Sequence, residues 1–189
     1  MSMEAKIVSG GNALLQPRAI LREHLRIMPG QIIGNFGCGG GGFFTLECAR
    51  LVGDQGQVYA VDIVKNALSS VDGKAKLQGL YNVKTVWSDL EIYGATDIPE
   101  ASLDHGLLVN ILFQSKKQDA IIREATRMIK PGGKLLIIDW NDVPVSFGPA
   151  VQERVRIDEL RALVPQLGYT EEKLFEAGQY HFGLIFIRI

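Results

Sequence analysis

The stretch "IIGNFGCGGGGFF", Ile32 to Phe44, runs from a short apolar segment into four consecutive glycines, Gly39 to Gly42. An Ile-rich run of this length, ended by glycine, reads as a buried strand. Beyond it, Phe43, Phe44, Leu46 and Ala49 supply the apolar positions of a helix. A glycine loop at a strand-to-helix join can take positive φ, and it lets a ligand approach backbone N–H groups at the positive end of the helix. A packing turn needs one or two glycines, and each further one costs chain entropy. Four in a row therefore point to a ligand lying against the backbone. The spacing of Gly37, Gly39 and Gly42 is also the dinucleotide fingerprint G-x-G-x-x-G, so the loop alone leaves the cofactor open.

Working outward, β-rich runs recur at Gln31–Phe36, Gln57–Val61, Val83–Trp87, Leu103–Asn110, Lys134–Trp140, Thr170–Glu176 and Tyr180–Ile189. Helix-period stretches separate most of them. Ile121, Ile122, Ala125, Met128 and Ile129 form one stripe, and Ser115 followed by Gln118 predicts a capping box at its start. Ile157, Leu160, Leu163 or Val164, and Leu167 form another, with Pro165 set to distort the last turn. Pro29-Gly30 and Pro131-Gly132-Gly133 read as turns before strands. Strands alternating with helices imply βαβ units and a parallel, doubly wound α/β sheet. Ala177-Gly178-Gln179 is too short for a parallel crossover, so the last strand must run antiparallel to its predecessor. Residues 1–28 read as a lead-in with one amphipathic helix, Ala19 to Met28, packed on the sheet or over the site. Residues 29–189 then form the core of a single domain.

The chain has 189 residues, 47% hydrophobic and 22% charged, with a net charge of −1. That balance fits a globular protein and shows no basic patch for nucleic acid. No segment has the roughly 18 apolar residues of a membrane span, and the N-terminus lacks a signal-peptide pattern. Cys38 and Cys48 form no disulfide framework, which points to a reducing cytoplasm. No His or Cys cluster has metal-ligand spacing, so no metal is expected.

Two acids follow the glycine loop at successive strand ends. Asp62 closes "VYAVD", where a carboxylate can accept hydrogen bonds from ribose hydroxyls; it equally suits the entry to a helix. Asp89 in "WSDLE" occupies the equivalent place one strand further out. It can meet an adenine amino group or act as a turn residue. A glycine loop and two acids on three neighbouring strand ends indicate an adenosine-type cofactor.

At this point the chain resembles the class I S-adenosylmethionine-dependent methyltransferases, particularly the small UbiE-like type. The resemblance covers about Gln16 to the C-terminus. Its carriers are "FGCGGGGFF", "VYAVDIV", "WSDLE", "SLDHGLLVNILFQ", "RMIKPGGKLLIIDW" and "YHFGLIFIRI". It implies a Rossmann-like sheet of seven strands, order 3-2-1-4-5-7-6, mostly parallel with an antiparallel last strand. It implies S-adenosylmethionine as cofactor, its methionine part at Phe36, Gly37, Cys38, Gly39 and Gly40. The ribose falls to Asp62, with Ile63 beside the adenine. Asp89 meets the adenine amino group next to Leu90, and Asn110 passes the methionine moiety. Two positions depart from the family. Asn35 stands where an acid is usual, which removes a charge near the cofactor's ammonium. "NILFQ" places Phe113 and Gln114 where UbiE-like relatives often carry a His.

A sulfonium methyl is already activated, so no obligatory catalytic residue is required. Asp142, Tyr180 and His181 are the candidates nearest the carboxyl edge, beneath a loop from Asn141 to Glu153 long enough to roof a substrate. Each has a plainer role: Asp142 as a turn residue, His181 as a strand histidine. Trp140 is equally a core plug. The expected partner is a small-molecule substrate, with a protein side chain or an RNA left open as acceptor. Competing readings are an NAD(P)-dependent oxidoreductase using the same loop, and a non-catalytic regulator on a methyltransferase fold.

Overall fold

The computed structural model describes residues 11–189. Of the lead-in, residues 1–10 lie outside the described part, and with them most of the N-terminus read for a signal. A helical turn, Pro17–Ala19, continues over Ile20–Leu25 with hydrogen bonds one residue wider than in an α-helix; the pair is labelled α1. It stops at Arg26, whose left-handed backbone (φ 61°) receives no help from glycine, so the helix expected from Ala19 to Met28 starts and ends earlier.

Seven strands follow: β1 (Ile32–Phe36), β2 (Gln57–Asp62), β3 (Val83–Trp87), β4 (Leu103–Val109), β5 (Ile129–Trp140), β6 (Tyr169–Gly178) and β7 (His181–Arg188). They form one sheet in the order β3-β2-β1-β4-β5-β7-β6. β1 to β5 pair in parallel, and β7 runs antiparallel to both β5 and β6. This is the sheet that the resemblance implied. The helices are α2 (Phe43–Val52), α3 (Lys65–Leu77), α4 (Gln118–Met128) and α5 (Ile157–Gln166).

The central strands read as unbroken apolar runs because helices cover both of their faces. Leu135 and Ile137 point into a core with Ile121, Ile122 and Met128 of α4 and Leu160 of α5. Leu136 and Ile138, on the opposite face, meet α1 through Leu21 and Leu25 and α2 through Phe44 and Val52. Alternation along β5 thus feeds two cores from one strand. The lead-in helix packs on the sheet through Leu21 and Leu25. Among the described residues, no helix is long and apolar enough to cross a membrane.

Two local expectations change. The capping box is not formed: α4 begins at Gln118 after Lys117, and neither side chain closes the helix end. Ser115 Oγ instead accepts from Lys117 N at 2.9 Å and donates to Glu91 Oε1 at 2.6 Å, while Gln118 Nε2 reaches back to Leu112 O at 3.3 Å. Pro131-Gly132-Gly133 lies within β5 as an irregularity. The pairing shifts there, from Leu103–Ile129 to His105–Lys134. Gly133 is required by space, since a Cβ would lie 2.6 Å from the Asp104 carbonyl oxygen. Pro165 is accommodated by ending α5, with Leu167 N and Gly168 N closing tighter turns onto Val164 O and Pro165 O.

Candidate active site

The carboxyl ends of β1 to β4 open onto a cleft of about 1120 Å³, the place where open parallel sheets bind ligands. Gly37, Cys38, Gly39, Gly40, Asp62, Ile63, Asp89, Leu90 and Asn110 all line it. Phe36 does not. Its ring lies wholly in the core, so close to Gly34 and Gly106 that a Cβ on either would approach it within 2.7 and 2.8 Å. The last residue of a strand alternates inward here, and only its backbone borders the loop.

The glycines divide by function. Gly37, Gly39 and Gly42 take positive φ (71°, 62° and 68°), the conformation that L side chains resist. Gly37 also has no room, because a Cβ would fall 2.3 Å from Ile111 Cδ1. Gly40 has ordinary backbone and tolerable space. Its carbonyl is held from α3 by Ser70 Oγ at 2.9 Å and Lys74 Nζ at 2.6 Å. The positions whose backbone conformation needs glycine are thus those of the G-x-G-x-x-G spacing.

Asp62 serves the helix entry, one of the two roles expected of it, and also holds the glycine loop. Oδ1 accepts from Val64 N at 2.9 Å, ordering the entry to α3, and Oδ2 accepts from Gly39 N at 2.8 Å, bracing the loop. Cys38 Sγ lies 3.9 Å from the same oxygen. Burial, aided by the Asp62 carboxylate, pushes the Cys38 thiol up to about 12, so it stays protonated and inert as a nucleophile.

Asp89 Oδ1 accepts from Glu91 N at 2.9 Å, the turn role foreseen for it. The loop carrying Asp89, Leu90 and Glu91 is clamped from α4. Glu124 is fully buried; its carboxylate accepts from Gly94 N at 2.7 Å and Thr96 N at 3.0 Å and pairs with Arg127 at 2.8 Å. Arg127 in turn donates to the Ile98 and Thr96 carbonyls. Glu91 is a third carboxylate on the cleft that the sequence reading missed. The Ser115 hydroxyl and the Lys117 ammonium hold its pKa below the ordinary value.

Asn110 directly follows β4 in the left-handed region, φ 55°. Its amide N donates to Ile138 O at 2.8 Å and its carbonyl accepts from Gln114 Nε2 at 2.7 Å. Its side-chain Nδ2 donates to Asn12 Oδ1 at 2.7 Å. Gly11 and Asn12 therefore bring the lead-in over the cleft as well as onto the sheet. Asn35 is buried off the cleft, where Nδ2 donates to Thr45 Oγ1 of α2 at 2.8 Å.

The catalytic candidates lie elsewhere. Asp142 is exposed, Tyr180 sits in the two-residue turn between β6 and β7, and His181 is buried; none lines the cleft. Trp140 does, and it forms the wall between the cleft and these residues. The His181 ring lies 4.5 Å from the Trp140 ring, and both of its nitrogens are buried without a partner among the described residues. Burial, with Arg154 nearby, pushes its pKa down to about 4, so it is neutral at physiological pH. The loop from Asn141 to Glu153 folds over the far side of Trp140 instead of roofing the cleft. Arg154 pins it there by donating to the carbonyls of Asn141, Val143 and Pro149 at 2.5, 2.7 and 3.1 Å.

With this geometry in view, comparisons with known proteins add a family. A family model described as a methyltransferase domain matches residues 35–137. The ubiquinone/menaquinone biosynthesis C-methyltransferase UbiE of Shewanella frigidimarina is 34% identical over 107 residues, covering 54% of this chain and 40% of that relative. The chain thus spans less than half the length of the curated relatives it matches. Among solved structures, a SAM dependent methyltransferase from Aquifex aeolicus superposes with a TM-score of 0.84 at 24% identity, covering 94% of this chain and 92% of that one. The [4+2]-cyclase SpnF superposes at 0.75 with 15% identity, over 90% of this chain and 79% of its own. At those identities the structures speak for the fold, and a cyclase among them shows that this fold hosts more than one reaction.

Proposed function

The chain belongs to the methyltransferase-domain family, and we propose that it transfers the methyl group of S-adenosylmethionine to a small, uncharged acceptor. The charge of the cleft carries this reading. Asp62, Asp89 and Glu91 line it, and among the described residues no lysine, arginine or histidine does. A cationic sulfonium cofactor suits such a field, whereas the pyrophosphate of NAD(P) would meet Gly39 N already occupied by the Asp62 carboxylate.

Gly37 to Gly40 would hold the methionine part, Asp62 the ribose, Asp89 and Leu90 the adenine. The cofactor supplies an activated methyl group. The protein's part is to exclude water and hold the acceptor in line, an orientation effect worth roughly 7–11 kcal/mol. Ile111, Phe113 and Trp140 give the remaining wall an apolar surface suited to an uncharged molecule. No base is needed from Asp142, Tyr180 or His181, which fits their position off the cleft. Two buried free cysteines suit a reducing, cytoplasmic setting.

Calorimetric titration with S-adenosylhomocysteine and, separately, NADH tests the cofactor. Micromolar binding of the first and none of the second is expected. NADH binding would overturn the reading.

A further inference from the structure

Asn110 Oδ1 is a buried acceptor with no hydrogen-bond partner among the described residues. It belongs to a side chain that lines the cleft. Such an atom in a native fold calls for an explanation, because an unpaired buried polar group is costly. Every other polar atom of Asn110 has a partner: Ile138 for the backbone N–H, Gln114 for the carbonyl, and Asn12 for Nδ2. An amide presents either its donor or its acceptor to a ligand, and the partner of one end decides what the other end offers. Asn12 Oδ1 takes the donor end. Oδ1 is thereby left as the acceptor.

Resting on the S-adenosylmethionine reading, we infer that Asn12 is a positioning residue, which turns the Asn110 amide so that Oδ1 receives the ammonium group at the cofactor's methionine end. Asn35 does not supply that acceptor, since it is buried against Thr45 and off the cleft. The strap around Asn12 is shaped for the task. Gly11 lies so flat on the site that a Cβ there would fall 2.7 Å from Asn110 Nδ2 and 3.1 Å from the Trp140 ring. The left-handed backbone of Asn110, φ 55°, is strain of the kind that active sites hold in place.

The test compares two ligands on the full chain. S-adenosylhomocysteine carries the amine and carboxylate; 5′-methylthioadenosine keeps the adenosine and sulfur but lacks both. Asn12→Leu removes the acceptor that orients Asn110. It should weaken S-adenosylhomocysteine about tenfold, the scale of one hydrogen bond to a charged group, and leave 5′-methylthioadenosine unchanged. The unchanged ligand also certifies that the variant is folded. Asn12→Asp keeps an oxygen acceptor for Asn110 Nδ2 and should retain wild-type affinity for both. Equal weakening of the two ligands by Asn12→Leu would mean that the strap merely covers the cleft, and no weakening of either would mean that it does nothing there; both overturn the inference. Failure of the wild type to bind either ligand would instead bring down the cofactor reading itself.

Discussion

At one end of the sheet's carboxyl edge, Asp62 and Asp89 stand at the tips of β2 and β3 with their carboxylates on an open cleft. At the other end, Asp139 and His181 stand at the tips of β5 and β7, adjacent in register to Phe182 and Trp140, and both are sealed in protein. The residue types are similar and the topological positions equivalent. The difference lies in the backbone around them. Beside Asp62, positive-φ glycines keep the chain low and leave room for a ligand; beside Asp139 and His181, Trp140 and the loop pinned by Arg154 fill that room. A titratable side chain at a strand end marks a site only where the neighbouring backbone has been cleared.

The wall between the two ends is the place to break this contrast. Trp140 is almost wholly buried, with Gly148 packed so closely that a Cβ would lie 2.7 Å from its ring. Trp140→Ala should cost about 3–5 kcal/mol in urea denaturation, the range for large-to-small substitutions in a core. It should also merge the ends, admitting water to His181 and moving its pKa back toward 6.5. A His181 proton resonance that still titrates near 4 in this variant would show that Trp140 is not the seal.

Next in size is Asp62→Ala. On the proposed reading it would remove two charge-assisted hydrogen bonds to the ribose, at about 1.5 kcal/mol each, so affinity for S-adenosylhomocysteine should fall about a hundredfold. Loss of the brace on Gly39 works in the same direction. Affinity kept within a factor of about three would mean that the acid serves α3 alone.

Much of the open end was legible in the sequence, because its signals are local. Glycines that need positive φ, and acids that follow β-rich runs, show their places on the cleft within a few residues. The hairpin was legible for the same reason: its short connection fixes an antiparallel pair. Asn12 was not, since its partner Asn110 is 98 residues away. Nor was the clamp from Glu124 and Arg127, whose pattern on α4 reads as an ordinary helical ion pair until Gly94 and Thr96 are brought against it. The loop from Asn141 to Glu153 has the length of a lid, and length says nothing about which side of Trp140 it covers. Arg154 decides that, through three carbonyls that no sequence pattern marks.

The sealed end should show itself in how stability varies with pH. Burial raises Asp139 from 3.8 to about 7, although the Trp140 and Phe113 N–H groups favour the ion. Below about 3.8 both folded and unfolded chains hold this proton. Between there and about 7 only the folded chain does, so stability falls as pH rises through that window. His181, lowered from 6.5 to about 4, acts oppositely: its share is present above 6.5 and is lost as pH falls through 4. Asp139→Asn should therefore gain on the wild type as pH rises from 4 to 7, and His181→Gln should gain as pH falls over the same range. Thermal melts would read each tilt at about 2–4 °C per kcal/mol. Parallel profiles for wild type and Asp139→Asn would show that water reaches the carboxylate.

The smallest expected effect is the sharpest test of the rule about cleared backbone. Asp142 has a carboxylate and lies two residues past Trp140, the end of the strand beside the cleft. On type and position it ranks with Asp62. It is exposed, however, and the Arg154 clamp turns its loop away from the ligand side. Asp142→Ala should therefore shift stability by no more than about 0.5 kcal/mol and leave S-adenosylhomocysteine affinity unchanged. It should also leave turnover unchanged once an acceptor is identified. A drop in turnover with cofactor affinity intact would place Asp142 at the acceptor, and would mean that the loop recloses over the cleft when the acceptor binds.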